Sequence, residues 1–325
     1  MRRVMAKIHS QQTPSYDAAG TVKTPPAESP DFYKSLSILK KGLDIDEALE
    51  MLEEISHDIY YGLKIAEDFD TVRSLFCLAN TGAIFHAPPA SEASASSSAH
   101  ATTLRRARLA ALIIASATQN NPKALGEIER HWPQLQHEYC SSSSNSSPAA
   151  SASPSDGEES LGRATFRIVS RSDSTGGDAN LAKVRVSALS GLLRSAAIRE
   201  TFLAGDGMDR VLEVLTGRRG AAEWEPARRR AGLLVMDNFL DENMGATLGE
   251  WPATKGGRQQ LADAVCEEKK AAGAGVDGGC WDWWARRLAD ENRKEKGHWS
   301  GELWEKLRER TREAEREQAR ADKEL

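Results

Sequence analysis

Three segments of the chain combine a helical period with small or apolar residues on nearly every side. Each begins with an arginine; they are Arg108 to Leu125 (RLAALIIASATQNNPKAL), Arg185 to Leu203 (RVSALSGLLRSAAIRETFL) and Arg230 to Glu242 (RAGLLVMDNFLDE). A helix that is apolar all round has to be covered on all sides, so helices must stack around these three. Strict alternation of apolar and polar residues, the mark of a half-buried strand, is nearly absent. The sequence therefore predicts an all-α fold.

The spacing of the three segments indicates a repeat. The second and third arginines lie 45 residues apart, and the first and second lie 77 apart with a Ser-rich stretch between them. Removing roughly 30 inserted residues brings the longer interval close to the roughly 40–47 residues of an armadillo or HEAT unit. We therefore expect an armadillo-like α-solenoid with flanking helices. The alternative is an ordinary helical bundle with three buried helices.

Composition divides the chain into a helical domain and polar segments. Residues 1–30 are rich in Pro, Ser, Thr and Ala, and two internal stretches, 88–101 and 141–160, are rich in Ser and Ala. Such segments bury too little apolar surface to offset the entropy lost on ordering, so we expect all three to be disordered. The repeat domain then spans 31–300. Residues 301–325 carry many charges of both signs and predict a solvated helix.

Local signals mark the starts of helices and the end of the repeats. Asp44 followed by Glu47 predicts a capping box, and Asn121 before Pro122 predicts an N-cap with proline at the first helical position. Five of the eight tryptophans lie between 281 and 304. We interpret this cluster as the packed C-terminal end of the repeats, with a binding surface as the alternative.

Composition and motifs argue against several classes of protein. Lys and Arg total 43 against 48 Asp and Glu, a net charge of −5, which gives no electrostatic reason for a nucleic-acid partner. The longest apolar stretch, Leu109 to Ala115, is far shorter than the roughly 20 residues of a membrane helix. Nucleophile-elbow, zinc-peptidase and phosphate-loop motifs are missing, and the cysteines form no CxxC pair. We predict no enzyme, cofactor or metal site, and leave open whether Cys266 and Cys280 form a disulfide or remain thiols.

His57 stands between Ser56 and Asp58, an order that invites comparison with a catalytic triad. Consecutive residues of a helix point about 100° apart, so these three side chains cannot form a relay with one another. We predict that His57 has a structural role at a turn between two helices.

Two further stretches resemble a known family. Residues 49–68 (LEMLEEISHDIYYGLKIAED) and 115–125 (ASATQNNPKAL) resemble the armadillo-repeat nucleotide exchange factors of seventy-kilodalton heat-shock chaperones. Residues 181–203 are similar to the next repeat of that family. The first motif is more similar to the endoplasmic reticulum branch, the Sil-type cochaperones of BiP, than to the cytosolic branch. The resemblance spans roughly residues 31–250.

The resemblance implies a monomeric solenoid of four armadillo-like repeats that clasps one lobe of the chaperone's ATPase domain and promotes ADP release, without catalysis of its own. It implies a BiP-type partner, a role in protein folding and transport, and the lumen of the endoplasmic reticulum, with no cofactor, nucleic acid or membrane. The chain as given begins without a secretory signal, which departs from that branch and keeps a cytoplasmic location open.

Two short features bear on the lumenal location. The chain ends in Asp322-Lys323-Glu324-Leu325, which resembles the retrieval signal KDEL with two positions exchanged. Asn145 begins the glycosylation sequon Asn145-Ser146-Ser147 inside the Ser-rich stretch, so we expect a glycoprotein.

Polar residues at the ends or flanks of the inner helices are the candidates for partner binding. They are Asn120, Asn121, Lys183, Arg185, Arg194, Asp237 and Asn238. For each of them a helix cap or a hydrogen bond between repeats is the alternative. Two other functions stay open, namely an armadillo scaffold for an unrelated protein and the cytosolic branch of the same exchange-factor family.

Deleting residues 141–158 should leave the free energy of unfolding nearly unchanged, because the entropy of closing a flexible loop depends only logarithmically on its length. Urea unfolding of the deletion variant and the full chain measures the difference. A loss of more than about 2 kcal/mol would show that the segment packs against the domain.

Overall fold

The computed structural model describes residues 16, 20–81, 97–140, 159–169, 178–217, 222–252, 261–272 and 276–321. These residues form an all-α protein, which confirms the predicted fold class, and their one β contact is an isolated bridge between Tyr16 and Val22. The α-helices are α1 (Pro30–Lys41), α2 (Ile45–Ile55), α3 (Ile59–Glu67), α4 (Phe69–Thr81), α5 (Ser97–Thr118), α6 (Pro122–Leu135), α7 (Leu161–Thr165), α8 (Ala179–Leu192), α9 (Ala196–Ala204), α10 (Gly207–Thr216), α11 (Glu225–Val235), α12 (Asp263–Ala271), α13 (Trp281–Glu291) and α14 (Trp299–Ala321).

A helix, a three-residue turn and a second helix recur as α2–α3, α5–α6 and α8–α9. The last residue of each turn is Asp58, Asn121 or Ser195, and its side chain accepts a hydrogen bond from a backbone N–H in the first turn of the helix that follows. Such N-caps satisfy donors that a helix start leaves without intrahelical partners. The predicted N-cap at Asn121 is thus confirmed.

The first helices of these pairs pack against one another in chain order. α2 contacts α5, α5 contacts α8, α8 contacts α11, and α11 contacts α14. The second helices form a parallel series in which α3 contacts α6 and α6 contacts α9. The apolar segments that begin at Arg108, Arg185 and Arg230 therefore lie in three neighbouring helices, as their composition requires.

Small residues allow this close stacking. A Cβ placed on Gly191 of α8 would lie 2.5 Å from Thr118 Oγ1 of α5, and one placed on Gly232 of α11 would lie 2.5 Å from Trp299 Cε3 of α14. A larger side chain at either position would have to displace the Thr118 hydroxyl or the Trp299 ring from the packed contact. The glycines therefore set the approach of successive helices.

The tryptophan cluster packs the C-terminal end of the domain. Trp281, Trp283, Trp284 and Trp299 are buried, and Trp304 is half-buried against the same core. This burial agrees with the interpretation of the cluster as a packed end rather than as an exposed aromatic surface.

Part of the N-terminal segment, predicted to be disordered over 1–30, contacts the helical domain. The Ser29 N–H donates to the Tyr61 hydroxyl at 2.8 Å, the Tyr60 hydroxyl donates to Glu28, and Val22 packs against the core. Two adjacent tyrosines thus supply the partners that composition alone did not reveal. Residues 1–15 and 17–19 lie outside the described residues.

The internal insert predicted over 88–101 ends earlier than expected. Residues 97–101 form the first turns of α5, where the high helix propensity of alanine extends a long helix into a low-complexity sequence. Residues 88–96 and 141–158 lie outside the described residues. Beyond them, Glu159 forms an ion pair with Arg210 at 3.0 Å.

The capping box predicted at Asp44 and Glu47 is wrong, although α2 does begin at Ile45. Asp44 has a φ of 52°, in the left-handed region, and its side chain makes no capping hydrogen bond. An N-cap residue normally has an extended backbone, from which its side chain reaches the first N–H groups of the helix, and the left-handed Asp44 departs from that conformation. The first turn of α2 is held instead by Asp46, which accepts two hydrogen bonds from Arg106 of α5, at 2.8 and 2.7 Å.

All four cysteines form disulfides. Cys77 of α4 is bonded to Cys140, which follows α6, and Cys266 of α12 is bonded to Cys280 just before α13. The second pair was one of two alternatives left open by the sequence, and the first was not anticipated. Both bonds join elements that are separate in the chain and adjacent in the fold.

Removing the two disulfides should cost different amounts of stability. The Cys77–Cys140 bond joins residues 63 apart and the Cys266–Cys280 bond joins residues 14 apart. Chain entropy then predicts a loss of about 4 kcal/mol for Cys77→Ala/Cys140→Ala and about 3 kcal/mol for Cys266→Ala/Cys280→Ala. Urea unfolding of both double variants under oxidising conditions tests the order. A larger loss for the short loop would contradict the entropic account.

Candidate partner-binding surface

α5, α8 and α11 lie side by side in the same direction. Near their N-terminal ends, His100, Leu181 and Trp224 line one small cavity. Near their C-terminal ends, Gly191 lies against Thr118, and the Asn238 side chain donates to Ser190 Oγ at 3.3 Å. Because the three axes run together, equivalent faces of the three helices are adjacent.

Each of these helices, with the residues just beyond its ends, carries a stripe of residues that are not buried, and the three stripes share a spacing of four, three and four residues. Such a spacing keeps side chains on one face of a helix. We call the three stripes together the long-helix face; they are Arg108, Leu112, Ala115 and Gln119, then Lys183, Ser187, Ser190 and Arg194, then Pro226, Arg230, Leu233 and Asp237.

The long-helix face is positively charged. It holds four cations, Arg108, Lys183, Arg194 and Arg230, and a single carboxylate, Asp237. The chain as a whole has a net charge of −5. A cationic face on an acidic protein favours association with a negatively charged partner surface.

Three of the seven predicted binding residues lie on this face. Lys183 and Arg194 are exposed, and Asp237 is half-buried. Burial raises the pKa of Asp237, while the positive charge of Arg194, in the turn after α8, opposes that rise. The structure thus brings Arg194 and Asp237 together from adjacent stripes.

Arg185 does not belong to the face, so its predicted role in partner binding is wrong. Its side chain is only 9% exposed, and its guanidinium donates to the carbonyl oxygens of Ala79 at 2.9 Å, Asn80 at 2.9 Å and Ile168 at 3.2 Å. The first two carbonyls lie at the C-terminal end of α4, where a helix has unpaired acceptors and partial negative charge. Arg185 therefore joins α8 to α4 inside the protein.

Asn121 and Asn238 are also internal, which corrects their assignment as binding residues. Asn121 is 2% exposed; its Oδ1 accepts from the Ala124 N–H at 3.2 Å and its Nδ2 donates to the Ile59 carbonyl at 2.9 Å. Asn238 is 4% exposed and donates to the Leu234 carbonyl at 3.0 Å. Asn238 lies in a single π-helical turn, Met236–Leu240, that follows α11. In both cases the alternative of a cap or inter-repeat hydrogen bond holds.

Asn120 is exposed beside the cap Asn121 and has a φ of 53°, a left-handed conformation that asparagine tolerates better than most residues. It lies at the edge of the long-helix face, next to Gln119. Asn120 is therefore accessible, and its backbone conformation also serves the turn between α5 and α6.

The two motifs that carry the family resemblance pack directly on each other. Gly62 lies where an added Cβ would be 3.1 Å from the Ala117 backbone, and Asn121 binds the Ile59 carbonyl across the same contact. His57 Nε2 is 3.4 Å from Ser116 Oγ, also across it. The motifs therefore form the junction between the first two helix pairs, and His57 has the predicted position at a turn.

Asn145 and the terminal Asp322-Lys323-Glu324-Leu325 lie outside the described residues. Among the residues that the structure does describe, there is no cluster of His, Cys, Asp and Glu that could hold a metal ion, and no helix is both long and apolar enough to span a bilayer. No family model, curated protein or solved structure matches the chain.

Sequence reasoning missed Arg108 and Arg230 as members of a surface, although both begin the apolar segments. The signal was available, because residues at intervals of four, three and four lie on one helix face. Which of the possible stripes on each helix is exposed depends on the side that neighbouring helices cover, and this the sequence does not show.

Replacing Arg185 with Met should lower the free energy of unfolding by about 3 kcal/mol, because three buried carbonyls lose a charged donor. The matched control is Lys183→Met on the same helix, which should change stability by less than about 0.5 kcal/mol because Lys183 is exposed. Urea unfolding measures both. Equal effects of the two substitutions would show that Arg185 is not the internal link described above.

Proposed function

We propose that this chain is an armadillo-like α-solenoid that promotes ADP release from a lumenal seventy-kilodalton heat-shock chaperone. In this hypothesis the long-helix face binds the chaperone's ATPase domain and the chain itself catalyses no reaction. The observation that carries it is the junction of the first two helix pairs, built from the two stretches that resemble the exchange-factor family. The chain-order stacking of α2, α5, α8, α11 and α14 supports the solenoid arrangement.

The two disulfides support the lumenal branch over the cytosolic one. Disulfides persist in secretory compartments and are rare in the cytosol, where thiols are kept reduced. Here all four cysteines are paired, so the fold has no thiol that requires a reducing environment.

Nucleotide exchange of this kind depends on thermodynamic linkage between two binding events on the chaperone, that of the exchange factor and that of the nucleotide. The factor must bind the opened, nucleotide-free ATPase domain more tightly than the closed ADP-bound one, and nucleotide must weaken the factor's binding by the same ratio. A hundredfold ratio requires about 2.7 kcal/mol of differential contact, which a few side chains can supply. A face spread over several stacked helices is suited to this task because its contact points are held at fixed separations.

Two measurements test the exchange function. Fluorescent ADP bound to a purified BiP-type chaperone should be released faster on addition of this protein with excess unlabelled nucleotide. Calorimetric titrations should show weaker binding to ADP-loaded chaperone than to nucleotide-free chaperone. Equal affinities would eliminate exchange even with tight binding, and would favour the alternative of an armadillo scaffold; no binding at all would reject both for this chaperone.

Exchanging the charges of Arg194 and Asp237 tests whether these residues contribute to chaperone binding or only to the stability of the fold. Because the two residues attract each other, Arg194→Glu or Asp237→Arg alone disturbs the pair, whereas the double variant keeps the attraction and reverses both charges shown to a partner. We expect the double variant to unfold like the original chain and to bind the chaperone about tenfold more weakly, since rim charges contribute about 0.5–1 kcal/mol each.

The matched control for this exchange is Asp263→Arg/Arg286→Asp, which also reverses two opposite charges without changing the net charge, in an ion pair between α12 and α13 outside the long-helix face. It should leave chaperone affinity unchanged. If the charge exchange restores full affinity while the single variants lack it, Arg194 and Asp237 matter only to each other, and the long-helix face is not the contact surface.

A further inference from the structure

Three cations of the long-helix face lie in one row across the stacked helices. They are Arg108 of α5, Lys183 of α8 and Arg230 of α11, and all three are exposed. Two contacts fix the level of each helix against its neighbour, namely Gly191 against Thr118 and the hydrogen bond from Asn238 to Ser190. Arg108 and Lys183 lie ten and eight residues before the first contact, and Lys183 and Arg230 lie seven and eight residues before the second. At about 1.5 Å per residue, the three cations therefore share one level to within about 3 Å.

The stacking of the helices sets the spacing within this row, which we call the cationic row. Axes of packed helices are roughly 8–10 Å apart. The side chains of the cationic row therefore leave the surface at intervals of about 9 Å, over a length of about 18 Å from Arg108 to Arg230. A partner that pairs with all three cations must carry negative charges at the same intervals.

The carboxylates of the neighbouring helix α2 do not neutralise the cationic row. Glu50 pairs with Arg105 and Asp46 pairs with Arg106, so the acidic residues that contact α5 are held by other arginines. Asp178, at the start of α8, is engaged as a helix cap. Within the described part of the chain, none of the three cations of the row forms an ion pair.

The carboxylates of α11 and its surroundings lie away from the row or are already engaged. Glu225 accepts from an indole N–H of α14 at 2.7 Å. Glu223 and Asp237 lie seven residues before and seven residues after Arg230, about 10 Å from its level along the helix. Glu302 of α14 is close enough to Asp237 to affect its pKa, and so lies at the same end. Negative charge is thus found towards the two ends of the long-helix face, and the row between them is positive.

We propose that the cationic row binds an extended acidic segment of a partner protein, with a carboxylate at every third residue. In a polyproline-II conformation, residues three apart lie on one side of the chain and about 9 Å from each other, which is the interval of the row. A segment with three such carboxylates then reaches from Arg108 to Arg230. An α-helix laid along the row would need about 15 residues, because its side chains return to one side at this interval only at every seventh residue. The assignment of the segment to the chaperone rests on the proposed function, whereas recognition of the charge pattern does not.

The surface beside the row offers partners to an extended backbone. A polyproline-II segment makes no internal hydrogen bonds, so its backbone groups need partners from water or from the protein. Ser187 donates to the Lys183 carbonyl at 3.0 Å and keeps oxygen lone pairs that can accept from an N–H of the segment. Ser190 accepts from Asn238, and its hydroxyl hydrogen has no acceptor among the described residues. Together with Ala115, these small side chains let a chain lie close to the helices.

The test uses the full chain and fluorescein-labelled peptides, the first of them built from three Glu-Pro-Ala units. A second peptide has the same composition with its glutamates adjacent, and a third has glutamine in place of glutamate. Fluorescence polarisation at low ionic strength should show saturable binding of the spaced peptide, about tenfold weaker binding of the second peptide, and no saturable binding of the third.

Reversing the charges of the row locates the contact. Arg108→Glu/Lys183→Glu/Arg230→Glu should lose the spaced acidic peptide and bind a peptide of Lys-Pro-Ala units instead. The matched control, Arg293→Glu/Lys294→Glu/Lys296→Glu, makes the same change in net charge at the exposed corner between α13 and α14 and should keep the original preference. Both variants should unfold in urea like the original chain, because all six side chains are exposed.

Equal affinity for the two acidic peptides would overturn the spacing, and a preference that survives reversal of the row would overturn its location. Tighter binding of a single-stranded oligonucleotide of equal charge would show a general polyanion site and would also reject the proposal. No chaperone or nucleotide is present in these measurements. A chain that binds the spaced peptide but does not accelerate ADP release keeps the row and loses the exchange function, and the converse result keeps the exchange function and rejects the row.

Discussion

Burial of α5 and α8 on several sides at once is the constraint on which the rest of the structure depends. α5 contacts α2, α4 and α8, and α8 contacts both α5 and α11. Apolar surface contributes about 25 cal/mol per Å² when it leaves water, so each uncovered side of such a helix would be costly. Stacking in chain order covers these sides and leaves the stripes of the long-helix face unburied. The glycines at 191 and 232 follow from the same constraint, because they let neighbouring helices approach.

Close stacking also determines where polar groups are needed. Helix ends that lie against other helices need partners for their backbone groups, and capping side chains supply them. Asn121 serves two elements, since it caps α6 and donates to the Ile59 carbonyl at the start of α3. Arg185 donates hydrogen bonds to the Ala79 and Asn80 carbonyls and so satisfies backbone acceptors at the end of α4. The motif residues that resemble the exchange-factor family thus lie where the chain contacts itself, so the resemblance bears more directly on architecture than on the choice of partner.

Local composition was enough to predict the helices, because segments that are apolar on nearly every side form helices that other helices must cover. It was not enough to predict which polar residues face outward. Arg185 and Lys183 are two positions apart, yet Arg185 is buried and Lys183 is exposed. The difference depends on the carbonyl groups of residues 79 and 80, about a hundred positions earlier in the chain, which accept hydrogen bonds from Arg185. The Cys77–Cys140 bond and the contact of Glu28 with Tyr60 are likewise set by tertiary approach. Spacing places Arg108, Leu112 and Gln119 on one side of α5. Whether that side is exposed depends on where α4 and α8 pack, which the sequence does not give.

A net charge of −5 conceals a cationic surface on the stacked helices. The stripes of α5 and α8 present Arg108, Lys183 and Arg194 and hold no carboxylate of their own. The fixed positions of these cations limit the orientations in which an acidic partner can dock, because other orientations leave its charges without partners. On the proposed function, orientation matters as much as affinity. An exchange factor must distinguish an open ATPase domain from a closed one, and contacts held at fixed separations by packed helices lose affinity when the partner's own contact points move.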